Sequence, residues 1–481
     1  MLFSSTALFA QETAVSDSVV IQVMGVAISG NKVTRDRIIL RELVVKEGEA
    51  CGSTALYEKL ERSRQNLMNT GLFNSVTVLP LYLNKTTAMI EVTVNERWYW
   101  WPALVFDLAD PNFNTWWLTK DLSRVNYGVY LYKYNFRGQN ETVYVNAQFG
   151  YTQQYAIRYK VPYLDKQQKW GMSVGASFYQ QAEITAGTLD NKRILIRNPD
   201  GSNRDVWSAD IGATLRKTHD FRHSWRLGFT QAEVADTIVH VAEDYFNGNS
   251  NTTRYLSLTY SVTWDKRNLR SFPTKGHFAE LRLDRYGLGL LDKNAPEVTT
   301  AYLEATRWFK LNERFTFALG ARGKRTFGRQ PYYVQQGLGY RNSVRGYEYY
   351  VIDGDHYALG KANFLFALFK PKTFRVEFIP IESFRTVYFA LYLDAFVDAG
   401  YVWDSRYADQ NFLANSPMSG YGLGLDLVTS YDQVARLEYT FNAVSYTHLR
   451  AHETVLDLVC RLLLEKKTQI LPLRHIVTHT H

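Results

Sequence analysis

The sequence predicts a mostly β chain: a transmembrane antiparallel β-barrel of the 16-stranded type, lacking its last strand, preceded by one small α+β domain. Three observations carry this. From residue 98 to 443 polar and apolar residues alternate with period two over segments of roughly ten, as in strands that meet lipid on one face and water on the other. Aromatic residues make up 15% of the chain, with 33 Tyr, 27 Phe and 11 Trp against 12 Pro, which suits aromatic girdles at the membrane interfaces. Residues 18–96 break the alternation with two helix-period stretches, so a separate unit comes first. A chain of 481 residues also exceeds one ordinary core. Mean hydropathy is negative and no run of about 18 apolar residues occurs, so membrane helices are not expected, a test that barrels escape.

Residues 1–17 read as a signal-peptide remnant and leader. MLFSSTALFAQET has the apolar run and small residues of a secretory signal, with cleavage expected after Ala10, but lacks a basic start.

The small domain, residues 18–96, begins with a strand in which Val20, Gln22 and Met24 alternate with Ile21, Val23 and Gly25. Gly30 and Asn31, which tolerate positive φ, mark a turn. A helix over 34–41 follows, with Thr34 as candidate N-cap. A second helix after Ser53 carries Leu56, Leu60, Arg64 and Leu67 near the helical period and stops at Gly71, a plausible C-terminal glycine. Leu72 and Phe73 then dock the helix end into the core, and strands near 76–81 and 88–94 complete a β-α-α-β-β unit.

The barrel occupies residues 97–443. Leu256, Leu258, Tyr260, Val262 and Trp264 alternate with Ser257, Thr259, Ser261, Thr263 and Asp265. Tyr155, Ile157, Tyr159 and Val161 alternate with Ala156, Arg158 and Lys160. A Lys or Arg facing lipid at mid-depth costs about 2–4 kcal/mol, which assigns the faces. A soluble β-sandwich alternates too, but the number of ten-residue strands with aromatic ends counts against it. Eleven strand-like segments precede a long loop at 327–355 and four follow it. Fifteen fits a barrel of sixteen without its final strand. Its first strand then keeps a free edge, so the seam is expected to be imperfect or occupied by the tail. Polar stretches at 184–206 and 241–253 are expected as extracellular loops.

Residues 444–481 stand apart. VSYTHLRAHET and DLVCRLLLEKK resemble the in-frame translation of a transposon-type sequencing adaptor, with residues 454–456 at its index, and are expected to replace the native end. This segment holds five of the ten His and Cys460, so its HIVTHTH ending is poor evidence for a metal site. Cys51 alone supports neither a disulfide nor a zinc cluster. Without the tail's net +2, the formal charge of +8 falls to +6, modest for this length and no argument for nucleic acid.

Two motifs stand out in the barrel. Val344, Arg345, Gly346 and Tyr347 lie in the long loop, and Phe396, Asp398 and Gly400 lie on a strand about fifty residues later. An arginine on a Gly-containing loop and an aspartate on a distant strand meet only if the loop folds into the lumen. Alone, Arg345 reads as a surface-loop arginine. Asp265 and Arg267, with Pro273 and Gly276 downstream, sit between two strands and also read as ordinary hairpin punctuation.

The segments ISGNKVTRDRI, LMNTGLFNSVTV and IEVTVNERW resemble one POTRA domain, the polypeptide-transport-associated repeat. Together with the Val-Arg-Gly-Tyr loop, the Phe-x-Asp-x-Gly strand and the Asp-x-Arg, Pro-x-x-Gly turn, they make residues 18–443 similar to the BamA, TamA and two-partner-secretion transporter superfamily. The resemblance implies the bacterial cell outer membrane, with the first domain in the periplasm. It implies insertion of barrel proteins or export of polypeptides. The expected partners are the lipid bilayer, unfolded or partly folded client polypeptides and accessory lipoproteins, with no cofactor, metal or nucleic acid. It implies that Arg345 reaches Asp398, that Gly346 permits the tight backbone and that Tyr347 packs beneath. The POTRA sheet edge would pair with incoming chains by β-augmentation. Family insertases usually carry more POTRA units, so a central housekeeping role is not implied. A passive porin would need an open lumen and no periplasmic domain. An enzyme would need a Gly-x-Ser-x-Gly elbow, a Walker loop or a metal-spaced cluster, and the sequence has none of them.

Overall fold

The computed structural model describes residues 19–108, 124–198, 201–248, 250–340, 342–442 and 447–454. The N-terminal domain runs β1 (Val20–Ser29), α1 (Asp36–Glu42), β2 (Ala50–Gly52), α2 (Ser53–Met68), β3 (Phe73–Tyr82) and β4 (Thr87–Glu96). Its sheet has the order β2-β1-β4-β3, with β1 parallel to β4. Leu56, Leu60 and Leu67 share one face of α2 and pack on Ile21, Val23, Ile90 and Val92 of the sheet. Gly71, at φ +74°, ends the helix and delivers Leu72 and Phe73 into that core. Gly30 is required where it stands, because a Cβ there would lie 2.0 Å from the Val94 carbonyl oxygen. Asn31 donates to the Thr34 carbonyl at 2.9 Å and to Asp36 at 2.6 Å.

Two details of this domain differ from expectation. The first helix starts at Asp36 after Arg35, and Thr34 does not cap it. The Thr34 hydroxyl and amide both donate to Glu96, at 2.5 and 2.6 Å, which ties that residue to β4 instead. The short strand β2 also precedes α2, pairing with the start of β1.

The barrel begins with β5 (Trp100–Leu108), β6 (Val125–Phe136), β7 (Glu141–Gly150), β8 (Thr152–Val161) and β9 (Trp170–Gln181). A separate hairpin, β10 (Glu183–Leu189) and β11 (Lys192–Arg197), comes next. The wall continues with β12 (Arg204–Leu215), β13 (Phe221–Val234), β14 (Thr252–Asp265), β15 (Gly276–Tyr286), β16 (Val298–Lys310) and β17 (Phe315–Phe327). After the long loop come β18 (His356–Arg375), β19 (Thr386–Trp403), β20 (Met418–Thr429), β21 (Val434–Asn442) and β22 (Thr447–Thr454). All but β10 and β11 form one antiparallel sheet of sixteen strands in sequence order, β9 pairing directly with β12. The apolar face points outward, with Leu258, Trp264, Leu303 and Leu319 exposed, while Arg158 pairs with Asp210 at 2.7 Å across the inner face.

Strand β22 belongs to the adaptor-like segment and pairs antiparallel with β21. Among the described residues no backbone pairing joins β22 to β5, so the sheet ends on two unpaired edges. That gap is the seam.

The stretch 184–206, expected as a loop, is largely a hairpin that runs into β12. Asp190 and Asn191 both take positive φ, +52° and +56°, and form its two-residue turn. The hairpin folds over one mouth of the barrel. Asn191 is fully buried there: its amide donates to Asn411 at 2.8 Å, and its side-chain oxygen accepts from the Leu413 amide at 2.9 Å.

The N-terminal domain covers the opposite mouth through polar contacts with the hairpin turns there. Arg35 donates from its backbone to Gly138 between β6 and β7, and Arg41 reaches the Gln168 carbonyl between β8 and β9. Asn69, just after α2, exchanges hydrogen bonds with Arg267, Asn268 and Arg270 in the β14–β15 turn. Asn74 donates to the Ser383 carbonyl between β18 and β19 at 2.6 Å. Arg97 makes a forked pair with Asp432 between β20 and β21, at 2.6 and 3.2 Å.

Glu42, fully buried at this interface, accepts a forked pair from Arg216 between β12 and β13 at 2.7 and 2.8 Å, with Arg41 at 3.0 Å and the Tyr163 hydroxyl at 3.2 Å. Burial pushes the Glu42 carboxyl up, but Arg216, Arg41 and His219 outweigh it and hold it at about 2.

Candidate functional site: a locked lumen loop beside an open seam

The loop after β17 turns back into the barrel because its apolar residues find a core there. Val344 and Tyr347 are buried with Leu338, Ile352, Leu359, Val402 and Met418. Gly346 sits at φ +93°, a conformation that lets the chain turn sharply after Arg345. This points the arginine at the inner wall. Its Nε and Nη2 donate to Asp398 at 2.9 and 2.5 Å, and its own amide donates to the same carboxylate at 3.1 Å. Nη2 also reaches Asn363 at 2.8 Å, and Nη1 lies 3.3 Å from Glu438 and 3.5 Å from Asp394. The guanidinium stacks over Phe396, 3.7 Å from the ring centre.

The sequence motifs named Arg345, Phe396 and Asp398, and the structure brings all three together. Several partners lay outside them. Lys361 pairs with Asp398 at 3.1 Å, and Arg436 with Asp426 at 2.6 Å. Four carboxylates (Asp394, Asp398, Asp426, Glu438) thus face three cations (Arg345, Lys361, Arg436) in one shielded network on β18–β21 and the loop. Such a network is costly to break, since each member left alone would be a poorly solvated charge.

Glycines make room for the loop. A Cβ on Gly400 would sit 2.5 Å from the Val344 side chain, and one on Gly420 would sit 1.8 Å from the Arg345 carbonyl oxygen. A Cβ on Gly422 would meet Phe396 at 2.8 Å. Gly420, Gly422 and Gly424 alternate along β20, so this clearance was visible in the sequence as a period-two glycine row.

The β14–β15 turn forms a second site. Asp265 takes a forked pair from Arg267, both bonds 2.8 Å, and a further bond from Arg270 at 2.9 Å. Gly276, at φ +108°, brings the chain so close to Lys266 that a Cβ would lie 2.1 Å from its carbonyl oxygen. Pro273 lies between, next to Phe272, which packs on Tyr392 of the inner wall with ring centres 4.6 Å apart. The turn therefore reaches across the covered mouth as well as closing a hairpin.

The loop contacts β21, the neighbour of the terminal strand β22. Asn442 donates to the Gly346 carbonyl at 2.5 Å, and Glu438 of the same strand touches Arg345. At the domain-side end, side chains beside the start of β5 reach past the gap to the β20–β21 and β18–β19 turns. Beside the Arg97–Asp432 pair, the Trp98 amide donates to the Tyr431 hydroxyl at 3.3 Å. Trp101, Tyr431 and Phe384 pack at ring separations of 5.1 to 6.1 Å.

These features define a plugged antiparallel membrane barrel with a small α+β module across one mouth. The Omp85 superfamily domain matches residues 135–446, and the POTRA family, described as the surface antigen variable number repeat, matches residues 21–97. The chain belongs to the Omp85 superfamily, whose POTRA-bearing barrels are outer-membrane proteins with the POTRA module in the periplasm, acting on client polypeptides. Among solved structures it is similar to CdiB from Escherichia coli, at 12% identity over 90% of this chain and 75% of that one, TM-score 0.52. BamA from Haemophilus ducreyi lacking POTRA domains 1–3 aligns at 14% identity over 90% and 83%, TM-score 0.49. No curated protein matches the sequence. The family supports a general role in outer-membrane insertion or secretion of polypeptides.

Proposed function

We propose that the chain is an assembly factor that inserts polypeptides into the outer membrane at its seam, without covalent chemistry. The observation that carries this reading is the unpaired edge of β5 at one end of the sheet. A strand edge at membrane depth is a row of unpaired N–H and C=O groups, and a client strand that pairs with it avoids taking its own unpaired backbone into lipid. The edge of β3 in the POTRA sheet, with Leu79 and Leu81 exposed beside it, is suited to hold an extended client beforehand. Export through the lumen, the second reading, would first require the Arg345 loop and the domain over the periplasmic mouth to move aside. Accessory lipoproteins would act from the periplasmic side.

Cross-linking the seam tests this. In a Cys51→Ser, Cys460→Ser background, Arg97→Cys and Asp432→Cys joined by a short bis-maleimide should cut assembly of an unfolded barrel client in vesicles by about tenfold or more, equivalent to about 1.4 kcal/mol or more of added barrier. The uncross-linked pair should retain most of its activity. Undiminished assembly by the cross-linked protein would count against the seam.

A further inference from the structure

The β18–β19 hairpin is longer than its neighbours. Strand β17 pairs with β18 only as far as Phe366, yet β18 continues to Arg375 and remains paired with β19 alone. At about 3.3 Å per residue the stretch after Phe366 adds roughly 30 Å of β18 on the periplasmic side. Strand β19 stays paired with β20 down to Phe389, so the tip beyond both neighbours is residues 373–375 with 386–388. Its outward face continues the lipid-facing stripe of the wall. Phe369 pairs with Leu391 and Phe374 with Val387, following the exposed Phe364 and Leu393. At the turn Phe378 is 88% exposed and Ile381 is also exposed. The other side of the turn is occupied: Ser383 meets Asn74, and Phe384 packs against Trp98 and Trp101.

Charge favours one occupant for the exposed side. Residues 368–385 carry Lys370, Lys372, Arg375 and Arg385 against Glu377 and Glu382. Both carboxylates already have cationic partners, Arg375 at 2.7 Å from Glu377 and Lys32 at 2.9 Å from Glu382. Lys370 and Lys372 are exposed beside the aromatic stripe. Aromatic side chains that sink into a membrane interface, flanked by cations at headgroup level, are the arrangement that binds an anionic lipid surface.

We propose that this ribbon is a membrane foot: Phe369, Phe374, Phe378 and Ile381 insert into the periplasmic leaflet, and Lys370 and Lys372 bind anionic phospholipid headgroups. Continuity with the lipid-facing wall argues for lipid rather than protein on this face. The foot would hold the turn that packs on Trp98 and Trp101 at a fixed depth, so it would set the height of the seam's periplasmic end. The inference rests on the membrane-barrel reading, and its test separates the two.

In a cysteine-free background, an environment-sensitive fluorophore is placed on Phe378→Cys, on Leu303→Cys in the lipid-facing wall, and on Lys85→Cys at the exposed β3–β4 turn of the POTRA domain. The full chain is reconstituted in phosphatidylcholine vesicles with and without phosphatidylglycerol, and brominated lipids serve as quencher. Residue 378 should be quenched like residue 303, losing roughly half its emission, and more strongly with phosphatidylglycerol present. Residue 85 should be unaffected. If residue 378 behaves like residue 85 while residue 303 is quenched, the foot is overturned and the barrel reading stands. If residue 303 is not quenched, the barrel reading fails and the foot with it. Equal quenching in both vesicle types would overturn the headgroup assignment.

Discussion

Replacing Asp398 with alanine is expected to destabilise the protein by about 3–5 kcal/mol, because Arg345 would stay in the shielded lumen without its principal partner. The loss should appear as a lower urea midpoint for the barrel and as protease cleavage within the 327–355 loop. The loss is not the worth of the pair alone. Glu438 and Asp394 remain within 3.5 Å and compensate in part, while Lys361 also loses its carboxylate. Replacing both partners, Arg345→Met with Asp398→Leu, should cost less than Asp398→Ala by itself, since the guanidinium is no longer buried without its main partner, although Lys361, Asp394 and Glu438 each lose one contact. Equal costs would mean that lumen water screens the pair.

The second large effect concerns the seat of the POTRA domain. Arg216→Ala should leave Glu42 buried with only Arg41 as a close ionic partner and release the domain from the barrel mouth, a change of about 3 kcal/mol readable as a widened distance between spin labels on the two parts. Acid should do the same. The Glu42 carboxyl is held at about 2 when docked, against 4.5 ordinarily, so its contribution is full above about pH 4.5 and is lost as pH falls towards about 2. At 1.36 kcal/mol per unit the window holds about 3 kcal/mol. In the Glu42→Gln protein the distance should no longer respond over that window. Release on raising the pH instead would contradict the assignment.

The sequence was most legible where a pattern repeats or a motif is local. Period-two alternation marked the lipid-facing and lumen-facing sides of β14 and β8, and it separated the eleven wall strands before the long loop from the first four after it, β22 of the adaptor-like segment being a fifth. Gly71 with Leu72 and Phe73 placed the end of α2, because helix termination is a short-range event. The covered mouth was illegible. Glu42 and Arg216 lie 174 residues apart, and Arg97 and Asp432 lie 335 apart, so nothing in either neighbourhood signals the other. The β10–β11 hairpin was missed for another reason: its polar composition reads as loop, although Asp190-Asn191 between alternating residues is a hairpin turn. Thr34 carried a helix-cap signal that a nearby carboxylate, Glu96, redirected.

The most direct test of the central claim is photo-cross-linking from the first strand. A photoreactive amino acid at Leu104 or Phe106, both exposed on β5, would be activated while an unfolded barrel client is being assembled. The account predicts adducts to the client's strands from these positions and few from Lys361 in the lumen. Client adducts from Lys361 with none from β5 would show the chain passing through the barrel, contradicting assembly at the seam.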